Sequence, residues 1–154
     1  MPDPRIAQET IDYIAIRRLQ SAYADVVTRR AWPEFDGLFR PDAEVVIDRM
    51  DGAPLVLRGP AAVAGFISKA IDRFDLFEFV VLNTVIDIAD ARASSRLYMW
   101  EARHDPVSGR SDAFGLYRDE HVRIDGRWWF AGRRYQTLGR SLGPQLAVFP
   151  LPEL

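Results

Sequence analysis

The sequence contains no cysteine, one lysine and two histidines among its 154 residues. The lack of cysteine excludes thiol catalysis, thiolate metal sites and a disulfide framework. The histidines, His104 and His121, are too few to build the clusters that bind zinc, and the glycines follow no phosphate-loop pattern. We therefore expect neither a metal nor a nucleotide cofactor.

A surplus of charge of one sign is also missing, because 20 basic and 22 acidic residues leave a formal charge of -2. Nucleic-acid binders need a basic patch for the phosphates, so no nucleic-acid partner is expected. Apolar runs such as residues 79–82 are far shorter than the roughly 18 residues that suggest a membrane span. Residues 1–5 lack the pattern of a signal peptide, so we expect a cytoplasmic protein without a membrane partner.

The remaining composition is that of a folded domain. Hydrophobic residues make up 48% of the chain and aromatic residues 12%, enough to build a core without a disulfide or metal. The length fits one domain at roughly 100 to 200 residues per domain. We expect a single domain over residues 1–154 with its core at about 10–138. Residues 139–154 would form a proline-containing lid, packing arm or subunit contact.

Three helices are predicted in the N-terminal half. Between Ile11 and Val27 apolar side chains recur at steps of three and four, which predicts a helix with one buried face. Those apolar positions are Ile11, Ile14, Ala15, Leu19, Ala22, Tyr23 and Val26. Asp3-Pro4 resembles an N-cap followed by proline, so the helix can begin earlier. A short second helix is predicted over residues 33–39, and a third begins at Gly59-Pro60.

Strand patterns dominate the rest of the chain. Residues 43–50 and 54–58 predict a hairpin through the dipeptide Asp51-Gly52. Four longer strands follow the third helix, at residues 79–89, 93–104, 111–124 and 128–138. Helices followed by an antiparallel meander predict an α+β domain, in which helices cover one face of a curved sheet. Such a cone would enclose a hydrophobic pocket.

Several segments resemble the SnoaL-like branch of the nuclear transport factor 2-like (NTF2-like) superfamily. In the first half these are Ile14–Leu19, Tyr23, Trp32 and Leu38–Ala43. In the second half they are Asn83, Ile86, Gly115–Glu120, Arg123–Trp128, Phe130 and Arg133. The resemblance covers about residues 10 to 138 and implies a cone in which three N-terminal helices wrap a curved, mixed, largely antiparallel sheet.

The resemblance also implies a class of activity. It is closest to polyketide cyclases, scytalone and bile-acid dehydratases and hexachlorocyclohexane dehydrochlorinase, which act on small hydrophobic substrates without metal or cofactor. This similarity implies a lyase, isomerase or cyclase. It also implies a homodimer or homotrimer as the assembled form.

The resemblance fails at the catalytic dyad of the dehydratases and dehydrochlorinase. Those members pair an Asp, four residues before the Trp, with a His four residues before the Asn. Here Thr28 precedes Trp32 and Phe79 precedes Asn83. Neither Thr nor Phe can replace a His–Asp general base. We predict that Thr28, Phe79 and Asn83 line the substrate pocket, and that any acid–base chemistry uses other residues.

Alternation along the third long strand predicts that Tyr117, Asp119 and His121 share one face. The resemblance aligns Asp119 and Arg133 with a pocket Asp and Arg of the dehydrochlorinase, so the two should lie close together. Asp119 could then serve as a base, and Arg133 could bind an anionic or carbonyl oxygen. A structural ion pair is the alternative. Tyr117 and His121 are predicted substrate contacts, although His121 could instead lie at the barrel rim.

Alternation along the second long strand predicts a shared face for Tyr98, Trp100 and His104. On this prediction Tyr98 and Trp100 form an aromatic pocket wall and His104 acts as acid or base. Exposure of His104 at the strand end is the alternative. Glu101 and Arg103, on the opposite face, are predicted to be solvated.

Three functional hypotheses follow. The first is a cofactor-independent pocket enzyme acting on a hydrophobic or aromatic small molecule, with Asp119, Arg133 and His104 as catalytic residues. Tyr23 would donate its hydroxyl to the substrate or fill the core. The second is a noncatalytic small-molecule-binding protein or accessory subunit. The third is a dimerisation module that acts through aromatic and arginine-rich surfaces.

Overall fold

The chain forms three helices and seven strands in the part that the structure describes. The structure, a computed structural model, describes residue 1 and residues 3–154, with the side chain of Leu142 left out. The helices are α1 (Pro4–Arg29), a 3-10 helix (Trp32–Gly37) and α2 (Gly59–Ile71). The strands are β1 (Phe39–Ile47), β2 (Leu55–Arg58), β3 (Leu76–Ala89), β4 (Arg92–Asp105), β5 (Gly109–Ile124), β6 (Arg127–Leu142) and β7 (Gln145–Val148). The predicted α+β class with three helices is confirmed.

One curved, open, mixed sheet contains all seven strands, in the order β2-β1-β6-β5-β4-β3, with β7 also paired to β6. Strands β3 to β6 form the predicted antiparallel meander. Strand β1 runs parallel to β6 and antiparallel to β2. Because β6 is 16 residues long, it pairs with β1 along one part and with β7 along another.

The second helix and the first hairpin differ from the prediction. The second helix is a 3-10 helix that ends at Gly37, whereas the prediction extended it to Phe39. Phe39 instead begins β1, where its partner in the ladder is Phe130. The β1–β2 connection spans residues 48–54, so it is longer than a tight Asp51-Gly52 turn. These differences arise because β6, which is remote in sequence, supplies the partner that keeps Phe39 in a strand.

Helix α1 begins as predicted but buries a different face near its start. The Asp3 side chain accepts a hydrogen bond from the Arg5 N–H at 2.8 Å, so Asp3 is the N-cap. The side chains of Ile11 and Ile14, assigned to the buried face, are 59% and 47% exposed. The buried side chains are Asp12, Ile16, Leu19, Gln20, Tyr23, Val26 and Val27. The polar residue Asp12 is thus part of the buried face. It is stable there because its carboxylate has hydrogen-bond partners on the sheet.

Asp12 joins α1 to the last two long strands. Its Oδ1 accepts hydrogen bonds from the Trp128 indole and from Arg123, both at 2.8 Å. Burial alone would raise the pKa of Asp12, but hydrogen bonds from Trp128, Gln8 and Arg123 lower it below its usual value. The folded state therefore favours the ionised carboxylate.

We expect Asp12→Ala to lower the free energy of unfolding by about 3 kcal/mol, because a buried indole N–H and a cation lose their acceptor. Because the pKa of Asp12 is lower in the folded than in the unfolded state, its ionised carboxylate stabilises the fold above the unfolded-state pKa. This stabilisation is lost as the pH falls through the folded-state pKa. The difference from wild type should therefore shrink below about pH 4. Urea unfolding from pH 3 to 7 tests this, with the exposed Glu9→Ala on the same helix as control. A constant difference across that range would contradict it.

The C-terminal segment lies against the sheet. Strand β7 pairs with the end of β6, and the Phe149 N–H donates to the Leu138 carbonyl at 2.9 Å. Further along, Arg118 donates to the Glu153 carbonyl at 3.5 Å. Among the three alternatives for residues 139–154, these contacts favour a packing arm. None of the helices within the described residues is long and apolar enough to cross a membrane.

Candidate functional site

A cavity of about 250 Å³ lies between the inner face of the sheet, the end of α1 and α2. Ligand pockets commonly measure about 300 to 1,000 Å³, and about 150 Å³ suffices for benzene, so this cavity suits a small molecule. Its apolar wall comes mainly from α2 and from phenylalanines. These residues are Val27, Val45, Ile47, Val63, Phe66, Ile67, Ala70, Ile71, Phe74, Phe77 and Phe79.

One end of the cavity, here named the Arg133 end, is built on a buried ion pair. The Arg133 Nε donates to Asp119 Oδ1 at 2.6 Å, and its Nη2 donates to Oδ2 at 3.1 Å. This bidentate pair confirms that the two residues lie together. Among the described side chains, the buried Arg133 Nη1 has no hydrogen-bond partner. Arg133 lines the cavity, and Nη1 is the guanidinium nitrogen that Asp119 leaves without an acceptor.

Three aromatic rings surround the Arg133 guanidinium. Its Cζ lies 4.2, 4.0 and 4.4 Å from the ring centroids of Tyr23, Tyr117 and Phe130. Burial raises the pKa of Tyr23, and it raises the pKa of Tyr117 well above its usual value, so both hydroxyls stay protonated donors. Burial alone would lower the pKa of Arg133, but the Asp119 carboxylate opposes this and the pKa is raised, so the guanidinium stays charged.

The other end of the cavity, here named the Glu101 end, carries Glu101, Arg103 and Arg140. Glu101 and Arg140 flank Ala113 on the two neighbouring strands, and Arg103 follows two residues after Glu101 on the same face. The Arg103 Nη1 lies 3.5 Å from the Glu101 Oε2. The Glu101 side chain is only 20% exposed, and burial raises the pKa of its carboxyl group despite both arginines. A carboxyl group with a raised pKa is suited to proton transfer.

Four of the predicted site residues line the cavity, namely Tyr23, Phe79, Tyr117 and Arg133. Asp119 lies behind Arg133 with a side chain that is 0% exposed, and Arg133 engages both of its carboxylate oxygens. This geometry favours the ion-pair alternative over a role as the base.

Thr28 is not among the residues that line the cavity. Its hydroxyl accepts a hydrogen bond from the Phe79 N–H at 3.1 Å. The two residues at the positions where the resemblance places the dyad therefore lie near each other. Their contact joins α1 to β3.

The predicted aromatic wall lies on the wrong side of the sheet. Tyr98, Trp100 and His104 do share a face, but it is the outer one, and His104 Nδ1 lies 2.5 Å from Asp75 on the surface. The inner face carries Glu101 and Arg103, and Arg103 is 5% exposed. The prediction relied on aromatics preferring the interior and charges preferring solvent. Here the cavity has polar partners for the charges, so the opposite orientation is stable.

Asn83 and His121 also lie away from the cavity. A bulge between Val81 and Asn83 shifts the register of β3 and pairs the exposed Asn83 with the outer-face Tyr98. His121 is buried, as the shared face with Asp119 predicts, but its Nε2 lies 2.9 Å from Ser95 Oγ beyond the Arg133 end. Burial lowers the pKa of His121 to about 4, so it is neutral at neutral pH.

Sequence reasoning missed six polar residues of the cavity, which are Asp48, Arg49, Glu101, Arg103, Tyr135 and Arg140. The sequence of β4 did contain a usable signal. Alternate residues share a face, so the apolar Leu97 and Met99 lie on the same face as Glu101, whereas the charged Arg96 lies on the face of Trp100. For Arg140 no such signal existed. Its position depends on the bulge that shifts the β5–β6 register between Phe114 and Gly115.

Gly115 makes room for the Tyr135 ring in the cavity wall. A Cβ at Gly115 would lie 2.9 Å from Tyr135 Cζ, 3.0 Å from Met99 Sδ and closer still to Tyr135 Cε2. We expect Gly115→Ala to push that ring into the cavity and to lower stability by about 1 to 3 kcal/mol. Gly65→Ala, in an exposed part of α2 with open space around it, should instead be neutral or stabilising. Thermal unfolding of both variants tests this, and equal melting temperatures would contradict it.

Within residues 1 and 3–154, no group of three or more His, Cys, Asp or Glu side chains is arranged to hold a metal ion. The polar groups of the cavity are instead arginines, tyrosine hydroxyls and the carboxylates of Asp48 and Glu101. Such a set can bind oxygens and transfer protons.

A family model for the SnoaL-like domain matches residues 8–134, most of the chain. The chain belongs to the SnoaL-like family. The resemblance noted in the sequence is therefore confirmed. No curated protein matches this SnoaL-like chain in sequence.

Solved structures agree with the SnoaL-like fold. A hexachlorocyclohexane dehydrochlorinase from Novosphingobium barchaimii superposes with a TM-score of 0.77 at 16% identity, covering 94% of this chain and 97% of the other. A protein assigned as a scytalone dehydratase from Novosphingobium aromaticivorans gives 0.77 at 19% identity, covering 96% and 93%. A Mycobacterium tuberculosis protein of unknown function gives 0.75 at 18% identity, covering 88% and 76%. At these identities the likeness shows the fold alone.

Proposed function

We propose that this SnoaL-like protein is a cofactor-independent enzyme that moves a proton on a small hydrophobic or aromatic molecule. One observation carries the proposal. Glu101 is a mostly buried carboxylate in a cavity with a large apolar wall, and the same cavity holds the Arg133 guanidinium and the hydroxyls of Tyr23 and Tyr117. A proton acceptor and a group of oxygen-binding donors therefore share one site. The names of the superposed dehydrochlorinase and dehydratase support a lyase or isomerase type of reaction.

In this proposal Glu101 is the base. Its carboxylate removes a proton from a carbon next to a substrate carbonyl. The C–H electron pair forms a carbon–carbon double bond, and the carbonyl π pair moves onto oxygen to give an enolate. Protonated Glu101 then returns the proton to the same or another carbon, or the enolate expels a leaving group from the adjacent carbon. The first outcome is exchange or isomerisation, and the second is elimination.

The Arg133 end would stabilise the enolate oxygen. Donors that already point to where charge develops lower the barrier most, because they need no reorganisation during the reaction. The unpartnered Nη1 of Arg133 and the hydroxyls of Tyr23 and Tyr117 are such donors. Asp119 acts through Arg133 as a positioning residue, since it holds the guanidinium from the far side.

Hydrogen–deuterium exchange tests the proposal without knowledge of the natural substrate. Cyclohexanone and β-tetralone are incubated with the protein in deuterium oxide, and deuterium next to the carbonyl is followed by NMR. We expect faster incorporation than in buffer alone. Binding is measured on the same samples by thermal shift. A probe that binds but exchanges at the buffer rate would overturn the proposal.

A noncatalytic small-molecule-binding protein or accessory subunit is the second candidate. The hydrogen bond from the Phe79 N–H to Thr28 Oγ1 favours it, because the positions expected to hold the dyad carry a structural contact instead. A binding protein should gain melting temperature with its ligand by mass action but show no exchange. The same two measurements therefore separate the two candidates.

Self-association and a cytoplasmic location stay predictions. A homodimer or homotrimer is supported by apolar side chains that remain accessible on β3, where Leu82 is 53% and Val85 41% exposed. Light scattering at micromolar concentration tests this, and a monomer would count against it.

A further inference from the structure

We infer that the ligand of this cavity is a small cyclic or aromatic carboxylate, with its anionic group at the Glu101 end against Arg103 and Arg140. Its uncharged part then extends toward Arg133. The inference rests on the proposed function, because it takes this cavity as the substrate site.

The charges around the cavity favour an anion. Its lining holds four arginines, Arg49, Arg103, Arg133 and Arg140, and two carboxylates, Asp48 and Glu101. Asp119, behind Arg133, is the third carboxylate of the site. The site therefore has one more positive than negative side chain, although the whole chain has a formal charge of -2. Burial of one anion would balance this local excess.

Two arginines without a carboxylate of their own lie at the Glu101 end, so the excess positive charge is located there. Asp119 already offsets Arg133 through a bidentate contact, and the Asp48 carboxylate accepts hydrogen bonds from the backbone N–H groups of Met50 and Thr137. Glu101 remains as the single carboxylate for both Arg103 and Arg140. The Arg103 Nη1 lies 3.5 Å from Glu101 Oε2, and Arg140 lies across Ala113 from Glu101 in the sheet, so both arginines line the same end of the cavity.

An unpartnered donor supports the same location. The Arg103 side chain is 5% exposed, and its Nε has no hydrogen-bond partner among the described residues. Buried N–H groups of charged side chains are costly to leave unpaired, and folded proteins nearly always satisfy them. A carboxylate oxygen is a strong acceptor for a guanidinium N–H. Arg133 Nη1, whose charge Asp119 already balances, suits a neutral carbonyl oxygen better.

Matched acids and amides test the inference. Benzoate against benzamide, and phenylacetate against phenylacetamide, differ in charge but hardly in shape. Titration calorimetry with the full chain is expected to show each carboxylate binding at least about tenfold more tightly than its amide. Arg140→Met and Arg103→Met should each remove most of this preference. Arg110→Met is the matched control, because Arg110 is exposed on the outer face beside Asp112.

Equal affinity for acid and amide, no binding of either, or a preference that survives both cavity variants would overturn the inference. A preference that Arg110→Met removes equally would also overturn it. The proposed function is tested by a different measurement, proton exchange, so its failure can be distinguished from failure of this inference. A preference for carboxylates without proton exchange would contradict the proposed enzymatic function but support the inferred ligand class. Proton exchange without that preference would support the enzymatic function but contradict the ligand class.

Discussion

Glu101→Gln is expected to lower the rate of protein-dependent proton exchange by at least about 100-fold, the contribution typical of general acid–base catalysis. Glutamine has nearly the same shape but cannot accept the proton. Exchange of cyclohexanone, followed by NMR, measures the effect. Thermal shift with the same probe should show binding within a fewfold of wild type, because the apolar wall is unchanged.

The pH dependence of this rate identifies the group. A base works in its deprotonated form, and burial raises the pKa of Glu101 above its usual value of 4.5. The rate should therefore fall as the pH drops through that raised pKa, and the variant should lose this dependence. Glu78→Gln, on the exposed outer side of β3, is the matched control and should behave as wild type. A Glu101→Gln protein that exchanges at the wild-type rate would eliminate Glu101 as the base.

Asp119→Leu is expected to destabilise the protein by about 3 to 5 kcal/mol, because it leaves the Arg133 charge buried without its counterion. Both partners are almost fully buried, with side chains 1% and 0% exposed, so water cannot replace the lost carboxylate. Such a loss is a large fraction of the usual 5 to 15 kcal/mol of a folded domain. Denaturant unfolding measures it, and Glu120→Leu on the exposed face of the same strand is the control.

The double variant Asp119→Leu with Arg133→Met keeps this prediction testable if the single variant fails to fold. Replacing both members of a buried pair by apolar side chains is often neutral or stabilising. We expect the double variant to regain most of the lost stability but to bind β-tetralone weakly, since the donor for its oxygen is gone. A double variant as unstable as the single one would show that Asp119 acts through contacts other than Arg133.

The outcomes for individual residues show which parts of the site follow from local pattern. Asp119 and Arg133 were predicted together from the resemblance to the dehydrochlorinase, and the structure pairs them directly between β5 and β6. Tyr23 was correctly placed, because the helical period near the end of α1 is regular. By contrast, Ile11 and Ile14 were assigned the wrong exposure, because Asp12 is buried in their place and its partners are more than 100 residues away along the chain.

The orientation of β4 was the costliest error for the site. Period-two alternation is identical for either face of a strand, so the sequence separates Glu101 from Trp100 without showing which one faces the cavity. The burial preference of aromatics suggested the wrong answer. In addition, bulges at Asn83 and near Gly115 shift the β3–β4 and β5–β6 registers, and the sequence pattern did not predict either bulge.

The sequence by itself determined the α+β class, the order of its elements, the SnoaL-like family and the absence of thiol chemistry. The family follows from the resemblance of whole segments, whereas the class, the order of elements and the absence of thiol chemistry depend on composition, on local hydrophobic period and on the capping and turn residues. Only the tertiary structure decided that Glu101, Arg103 and Arg140 face one cavity and that His104 does not. That arrangement depends on strand register and sheet curvature, which arise from contacts between residues far apart in the chain.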